Sequence, residues 1–391
     1  MLVSTTAGAG HFGPLVPFAR ACLAAGHEVA VAAPASFAAQ VNAAGFEHHR
    51  FADAPAEQMG RIFERVPSLS FEEGNEVVVA VVFGRLDAQA ALPGLVEVID
   101  RWRPDLVLRD PCEFGSLVAA RAAGIPQVEV AISMGATTDY MVSVVHEPLA
   151  ELDALAGLPD GEAADTMSST PLLTTVPSVL DDARGSSASR TRPVHRFCDA
   201  SLSATQGALP EAWGDPALPL VYVSFGSVAA GLEGFTGMYA DVVAAFADRT
   251  VRVLLTTGNG LDPATLAPLP VNVRAERWWP QAEVMHHCGA VVGHGGFGTT
   301  MAALAAGVPQ VIVPLFAFDQ RVNAEHVAAV GAGLQVDGGP EGMIAVPDAA
   351  IRLITESSYR EAAGSVAHAM AALPPIADSV SLLERRDHPT S

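Results

Sequence analysis

Short apolar runs, each leading into a glycine-containing turn and then a helical pattern, most constrain the fold of this chain. Residues 1–150 alternate between such runs and helical periodicity, with strands expected over residues 2–5 and 28–33. The pattern recurs at residues 220–224, where a second apolar run enters a second glycine turn. This alternation is typical of parallel sheets covered by helices. The sequence therefore predicts an α/β protein.

The change of composition over residues 184–219 predicts a linker between two halves. This stretch is rich in Gly, Ser, Ala, Arg and Pro and has little periodicity. A chain of 391 residues is long enough for about two to three domains. We predict a first domain over residues 1–205 and a second over 206–375. A last helix is expected within 376–391, with frayed residues from 385 onward.

Composition and charge exclude several classes of function. Apolar residues make up 50% of the chain, but no unbroken apolar run reaches the roughly 18 residues that a membrane helix needs, and residues 77–83 form a run of strand length. No signal peptide is evident at the N-terminus, so a cytoplasmic protein is expected. The net charge of −21, without any lysine, argues against nucleic acid binding. The four cysteines have no CxxC spacing, so they predict neither a zinc site nor a disulfide framework.

A strand, a glycine-rich turn and a helix follow one another around residues 290–306. The turn contains His294, Gly295, Gly296 and Gly298, and Thr299 and Thr300 open the helix. Backbone N–H groups and the positive end of the helix dipole both favour an anion above such a turn. The hydroxyl groups and the imidazole can add further donors. The segment therefore predicts an anion site.

A histidine and an aspartate follow two strands of the first half. His11 lies in the turn after the first strand, and Asp110 ends the strand within residues 104–110. Both belong to the carboxyl edge of the sheet, so Asp110 can accept from one ring nitrogen and leave the other to act as a base. Two alternatives remain open. His11 can be an ordinary surface histidine, and Asp110 can cap the following helix.

Three glycines in the first turn match the dinucleotide-binding pattern GxGxxG. They are Gly8, Gly10 and Gly13. A nicotinamide enzyme also needs an acidic residue at the end of the second strand to hold the ribose, and that strand instead runs into Pro34. An NAD(P)-dependent oxidoreductase is therefore only an alternative hypothesis.

Several spaced elements of the second half together resemble the donor-binding motif of family 1 glycosyltransferases, in particular the actinobacterial natural-product branch. They are Trp278, Pro280 and Gln281, the run 294–300, and the pair Asp319 and Gln320. The resemblance implies a GT-B fold, which consists of two Rossmann-like doubly wound domains facing across a cleft. It also implies that the last helix packs back on the first domain, which binds the acceptor, and that the second domain binds the nucleotide sugar.

The same resemblance implies roles for individual residues. His11 would be the catalytic base assisted by Asp110, Trp278 would stack on the nucleobase, and Trp279 would bond its edge through the backbone. The full donor-binding set is Gly226, Ser227, Trp278, Trp279, Gln281, His294, Gly295, Gly296, Gly298, Thr299, Thr300, Asp319 and Gln320. The acceptor set is Phe12, Phe63, Phe83, Met134 and Phe316. The alternatives are a core role for one tryptophan, a loop cap for Asp319 and Gln320, and an ordinary variable loop and helix region over residues 53–95.

Ala302 departs from the family pattern, and this departure bears on the donor. Members that use UDP-glucose usually carry a glutamate at this position, where its two oxygens hold both ribose hydroxyls. Thymidine diphosphate sugars lack the 2′-hydroxyl, so we expect a dTDP-sugar, with UDP-glucose as the alternative. No DxD sequence, the acidic metal clamp of the other large glycosyltransferase architecture, occurs in the chain. We therefore predict an inverting reaction without metal or other cofactor.

The sequence thus predicts a glycosyltransferase that moves a hexose or deoxyhexose to a hydroxyl of a hydrophobic natural product. The expected partners are the aglycone and the nucleotide sugar, without nucleic acid or membrane, for a monomer or homodimer. A catalytically silent glycosyltransferase-like auxiliary protein is the second alternative.

Overall fold

The computed structural model describes residues 1–184, 192–202, 207–232, 234–338 and 340–387. Helices form where apolar side chains recur every three to four residues, and several of them end at a left-handed glycine, such as Gly157 after α9. The α-helices are α1 (Ala9–Phe12), α2 (Val16–Ala24), α3 (Ala38–Ala43), α4 (Ala56–Arg65), α5 (Phe71–Glu76), α6 (Ala88–Trp102), α7 (Phe114–Ala122), α8 (Gly135–Val144), α9 (His146–Ala156), α10 (Glu162–Ser169), α11 (Ser178–Asp181), α12 (Gly237–Ala245), α13 (Gln281–Met285), α14 (Phe297–Ala305), α15 (Phe318–Ala329), α16 (Pro340–Thr355), α17 (Ser357–Ala371) and α18 (Ser379–Asp387).

Two parallel sheets carry these helices. The strands are β1 (Leu2–Ser4), β2 (Ala30–Pro34), β3 (Glu47–Phe51), β4 (Val107–Arg109), β5 (Gln127–Val130), β6 (Leu172–Thr174), β7 (Val194–Arg196), β8 (Leu220–Ser224), β9 (Arg252–Thr256), β10 (Val273–Glu276), β11 (Cys288–Gly293), β12 (Gln310–Ile312) and β13 (Gly333–Gln335). The first sheet has the order β3-β2-β1-β4-β5-β6-β7 and the second β10-β9-β8-β11-β12-β13. Both are doubly wound, so the predicted pair of Rossmann-like domains is confirmed.

The chain divides into two compact units. Unit 1 comprises the described residues of Met1–Thr175, Ser187–Cys198 and Pro374–Ser391, and unit 2 those of Val176–Ser186 and Asp199–Leu373. Each sheet has an apolar core on both faces, as buried parallel strands require. The predicted boundary between residues 205 and 206 lies outside the described residues, as does most of the predicted frayed end, residues 388–391.

The C-terminal helix α18 belongs to unit 1. Its Val380 and Leu383, with Ile376 just before it, are buried in the same apolar cluster as Phe18 of α2. Just before this helix, the carbonyl oxygen of Pro374 accepts a hydrogen bond from Cys198 N, at 2.7 Å. Burial of apolar side chains therefore holds the last helix against the start of the chain.

The apolar run 77–83, which is only as long as a strand, is helical. Residues Val77–Asp87 form a π-helical segment that joins α5 to α6. Within the described residues, Phe71–Trp102 is one helix that is long and apolar enough to cross a membrane by length and composition. Its second half is a core element of unit 1, since Leu95 and Val98 are buried there.

Each unit has one point at which the strand order reverses. In unit 1 this point lies between β1 and β4, and in unit 2 between β8 and β11. Helices leave these paired strands toward opposite faces, which opens a crevice at the carboxyl ends of the strands where ligands bind in open α/β sheets. The two turns singled out from sequence, after β1 and after β11, both begin at these points.

Candidate active site

The turn after β1 and the end of β4 bring His11 against Asp110. His11 Nδ1 lies 3.2 Å from both carboxylate oxygens of Asp110. The two residues are neighbours because β1 pairs directly with β4, with Ser4 opposite Arg109. An ionised carboxylate accepts, so Nδ1 carries the proton and Nε2 is left as the basic nitrogen.

Four hydrogen bonds from the backbone and hydroxyl groups fix the Asp110 carboxylate. Its Oδ2 accepts from Thr5 Oγ1 at 3.2 Å, from Thr6 N at 3.0 Å and from Thr6 Oγ1 at 3.1 Å, and its Oδ1 accepts from Cys112 N at 2.7 Å. The side chain is fully buried. Burial opposes ionisation, but His11 and these donors outweigh it and lower the pKa of Asp110. Asp110 is therefore a fixed negative charge.

The same charge controls the titration of His11. Burial alone would lower its pKa, but the Coulombic attraction of Asp110 and the hydrogen bond to it raise the pKa of His11 well above 6.5. The imidazole is 22% exposed, so one edge remains open to a ligand. Phe83 packs against it with ring centroids 5.3 Å apart. The pair can accept a proton from a neutral hydroxyl and stabilise the resulting imidazolium.

The helix after β4 is capped by Glu113, so the alternative role of Asp110 as that cap is not needed. Glu113 Oε2 accepts from Ser116 N at 2.9 Å and from Ser4 Oγ at 2.7 Å. Sequence reasoning missed Glu113, Thr5 and Thr6. The contacts of Thr5 and Thr6 with Asp110, and of Glu113 with Ser4, depend on β1 lying beside β4, which the local sequence does not specify.

The predicted acceptor residues differ in their burial, in their contact with His11 and in the unit to which they belong. Phe83 contacts His11, as described above. Phe12 packs edge to face on Phe37, with ring centroids 5.8 Å apart, and is buried in the core of unit 1. Met134 is also fully buried. Phe12 and Met134 are thus buried side chains, whereas Phe63 on α4 is exposed. Phe316 belongs to unit 2.

The glycine-rich turn after β11 leads into α14 as expected. Helix α14 begins after Gly296, which has no side chain to cap the first N–H groups of the helix. An uncapped helix N-terminus of this kind favours an anion. Thr299 is half-buried beside the turn, whereas Thr300 is buried beneath it. The backbone geometry therefore suits a phosphate group.

His294 fills the space between Gly226, in the turn after β8, and Gly296, in the turn after β11. A Cβ on Gly226, whose φ is +78°, would lie 2.7 Å from His294 Cε1, and one on Gly296 would lie 2.4 Å from Nε2. Burial lowers the pKa of His294 to about 4, although a hydrogen bond with the Ser224 backbone opposes the shift. The ring is therefore neutral near pH 7. Its buried Nδ1 has no hydrogen-bond partner among the described residues. Ser227, in the turn after β8, is exposed.

The two predicted nucleobase tryptophans differ in exposure. Trp278 is 69% exposed. Trp279 packs on the apolar cluster of unit 2 that contains Ala302, so one of the pair has the core role considered above. Gln281, which starts α13, donates from Nε2 to Thr299 Oγ1 at 2.9 Å. That bond ties the tryptophan segment to the glycine-rich turn.

Helix α15, which follows β12, contacts the glycine-rich turn after β11. Gln320 Oε1 accepts from Leu315 N at 2.8 Å and from Phe316 N at 3.2 Å, which is the loop-capping role left open above. Asn323 Nδ2 donates to the Gly295 carbonyl at 2.7 Å. Asp319 lies in the first turn of α15. Asn323 was missed from sequence because its contact depends on how α15 packs.

The chain matches known proteins along nearly its whole length. Residues 20–158 match the N-terminal domain of the family described as erythromycin biosynthesis protein CIII-like, and residues 240–385 match its C-terminal domain. The L-demethylnoviosyl transferase of Streptomyces niveus is 32% identical, covering 91% of this chain and 89% of that protein. The elloramycin glycosyltransferase ElmGT of Streptomyces olivaceus is also 32% identical, covering 98% and 96%.

The chain belongs to the family of actinobacterial antibiotic glycosyltransferases.

Solved structures of this kind have the same fold. SnogD from Streptomyces nogalater is 27% identical with a TM-score of 0.76, covering 99% of both chains. VinC, solved in complex with dTDP, is 26% identical with a TM-score of 0.76, covering 99% of this chain and 98% of VinC. The predicted GT-B fold class is therefore confirmed, and the glycosyltransferase family replaces the oxidoreductase alternative.

Proposed function

We propose that this glycosyltransferase moves a hexose or deoxyhexose from a nucleoside diphosphate sugar, preferably a dTDP-sugar, to a hydroxyl of a hydrophobic natural-product aglycone. The reaction proceeds with inversion and without a metal ion. The substrate classes are supported by the relatives, which are named as an L-demethylnoviosyl transferase and an elloramycin glycosyltransferase, and by the dTDP complex of VinC. The observation that carries the proposal is the bond of His11 Nδ1 to the buried Asp110 carboxylate, at 3.2 Å.

His11 is the proposed general base. Its Nε2 takes the proton of the acceptor hydroxyl while the oxygen attacks the anomeric carbon. Asp110 holds the opposite nitrogen protonated and stabilises the imidazolium that forms. A base placed in this way contributes about 10²–10⁴-fold to a rate. The hydrogen bond favours an active enzyme over a catalytically silent auxiliary protein, which has no need of a polarised histidine.

The turn around His294 is the proposed site of the leaving diphosphate. As the bond between the anomeric carbon and the phosphate oxygen breaks, negative charge develops on the nucleoside diphosphate. The N–H groups at the start of α14 can stabilise this charge, and so can Thr299. These dipoles can replace a metal ion. We propose that Trp278 supplies the exposed ring for the nucleobase, and that Asp319 and Gln320 bind the sugar.

Ala302 supports the preference for a dTDP-sugar. It lies 6% exposed on α14, in an apolar cluster with Trp279 beside it. An apolar surface cannot pair with a ribose 2′-hydroxyl, and burying an unpaired hydroxyl is unfavourable. A 2′-deoxyribose avoids this loss. We further expect the enzyme to act in the cytoplasm as a monomer or homodimer.

The test is product analysis with the full chain and a panel of donors and acceptors. We expect a mass increase of one hexosyl or deoxyhexosyl group on a phenolic or macrolide aglycone with dTDP-sugars, with inverted anomeric configuration in the NMR spectrum. A retained configuration would contradict the mechanism. The absence of any product across the panel would contradict the proposed substrate class.

A further inference from the structure

The proposed base lies beside a thiol that the proposed reaction does not use. Cys112 follows Asp110 by two residues, after β4, and is buried. One ligand atom each from His11, Asp110 and Cys112 lies within 4.8 Å of the others. Imidazole, carboxylate and thiolate are the three ligand types that proteins use for zinc.

We propose that His11, Asp110 and Cys112 form an inhibitory binding site for soft or borderline divalent cations such as Zn²⁺ and Cd²⁺. With zinc to ligand bonds of about 2.0–2.3 Å, the ligand atoms of a tetrahedral site lie about 3.3–3.8 Å apart. Small side-chain rotations can close the present spacing to these values. A water molecule can complete the tetrahedron as the fourth ligand.

The surroundings favour a cation. A small cavity beside the thiol is lined by Thr6, Asp87, Cys112 and Glu113, among others, and provides room next to the sulfur. Burial is the main cause that raises the pKa of Asp87 to about 6, and repulsion from the negative charges of Glu113 and Asp110 adds to it. A positive ion relieves that repulsion.

The ligand set favours a soft ion over a hard one. Cys112 Sγ lies 3.7 Å from the thioether sulfur of Met141, so two sulfur atoms are close together. Mg²⁺ and Ca²⁺ prefer six or more oxygen ligands, whereas thiolate sulfur favours zinc and similar metals. The hydrogen bonds that Asp110 already accepts from Thr6 would orient its carboxylate as a ligand.

Binding at Nδ1 would remove the base, and this consequence rests on the proposed function. The metal replaces the proton on Nδ1, and a neutral imidazole then carries its single proton on Nε2. That nitrogen can no longer accept a proton from the acceptor hydroxyl. The thiol proton of Cys112 leaves to solvent as the thiolate binds the ion. Inhibition therefore does not require competition with the nucleotide sugar.

The site is tested by titrating the full chain with Cd²⁺ and following the ultraviolet charge-transfer band between thiolate and cadmium. We expect one equivalent to produce the band in the wild-type protein and in Cys198→Ser, a control thiol elsewhere in unit 1. Cys112→Ser should lose the band. If Cys112→Ser does not fold by circular dichroism, His11→Asn, at a partly exposed side chain, should weaken Cd²⁺ binding at least tenfold.

Turnover in the presence of Zn²⁺ tests the inhibitory consequence. We expect Cys112→Ser to need at least tenfold more Zn²⁺ for half inhibition than the wild type or Cys198→Ser, and Mg²⁺ to have no such effect. A cadmium band that persists in Cys112→Ser, or equal inhibition of all three proteins, would overturn the site. A protein that binds Cd²⁺ at Cys112 but glycosylates nothing without added metal would instead contradict the proposed function.

Discussion

His11 Nδ1 donates to the carboxylate of Asp110 across 3.2 Å, although the two residues lie 99 positions apart in the chain. The contact exists because β1 and β4 are adjacent at the point where the strand order of unit 1 reverses. A fixed carboxylate, a polarised imidazole and an adjacent aromatic ring thus meet at one sheet edge.

Asp110→Asn tests the electrostatic part of this pair. Without the negative charge, the pKa of His11 falls from its raised value, since the contribution that opposes burial is lost. The base must be deprotonated to act, so activity in the wild type rises with pH through a pKa above 6.5. In the variant this rise of activity with pH occurs at lower pH, and kcat falls by about 10²–10⁴-fold. Steady-state rates across pH measure both effects. Asp105→Asn, at an exposed residue before β4, serves as the control. If activity in Asp110→Asn rises over the same pH range as in the wild type, Asp110 does not control the pKa of His11.

Gly226→Ala tests the packing around His294. The new Cβ meets the imidazole at 2.7 Å and sits at a φ of +78°, which a side chain rarely adopts. We expect at least a tenfold weaker affinity for dTDP, measured by calorimetry, with a lower melting temperature. Gly237→Ala, at a glycine of the same unit with open space around it, should leave affinity unchanged. Equal affinity in both variants would show that this turn does not bind the nucleotide.

The half-buried His294 also predicts how stability depends on pH. Its folded pKa of about 4 lies below the unfolded value of about 6.5, so the unfolded chain binds more protons between these values. The free energy of unfolding therefore decreases as pH falls from 6.5 toward 4, by up to about 3 kcal/mol from this residue. In chemical denaturation, the free energy of unfolding of His294→Gln should decrease less than that of the wild type as pH falls from 6.5 toward 4. The exposed His286→Gln should follow the wild type, and identical slopes for all three proteins would exclude the effect.

Ala302→Glu tests the basis of donor choice. A carboxylate at this position can accept from both ribose hydroxyls, so the ratio of kcat/KM for UDP-glucose to that for dTDP-glucose should rise about tenfold or more. Ala305→Glu, at a half-buried alanine of the same helix, controls for added charge. An unchanged ratio in Ala302→Glu would mean that another group sets the nucleotide preference.

A chelator tests the independence from metal. Turnover should stay the same or increase when EDTA is added, because helix N–H groups and hydroxyls are proposed to stabilise the leaving diphosphate. Loss of activity with EDTA that Mg²⁺ restores would show that a cation takes part in the reaction.

The local sequence was sufficient to predict the strand, turn and helix units and the positions of His11, Asp110 and His294, because these depend on short-range patterns. It did not decide the structure of residues 77–83, since a short apolar run fits a strand and a buried helix equally well. It also missed the groups that support the site. The contacts of Thr6 with Asp110 and of Asn323 with Gly295 depend on strand order and helix packing, which involve distant parts of the chain.

The most direct test of the central claim compares product formation and nucleotide binding in His11→Ala. The account predicts loss of single-turnover glycosylation by at least a hundredfold, with the dTDP dissociation constant within about twofold of the wild type, since the donor turn lies in the other unit. His27→Ala, at a histidine paired with Glu384, should retain both. Undiminished turnover in His11→Ala would contradict the account.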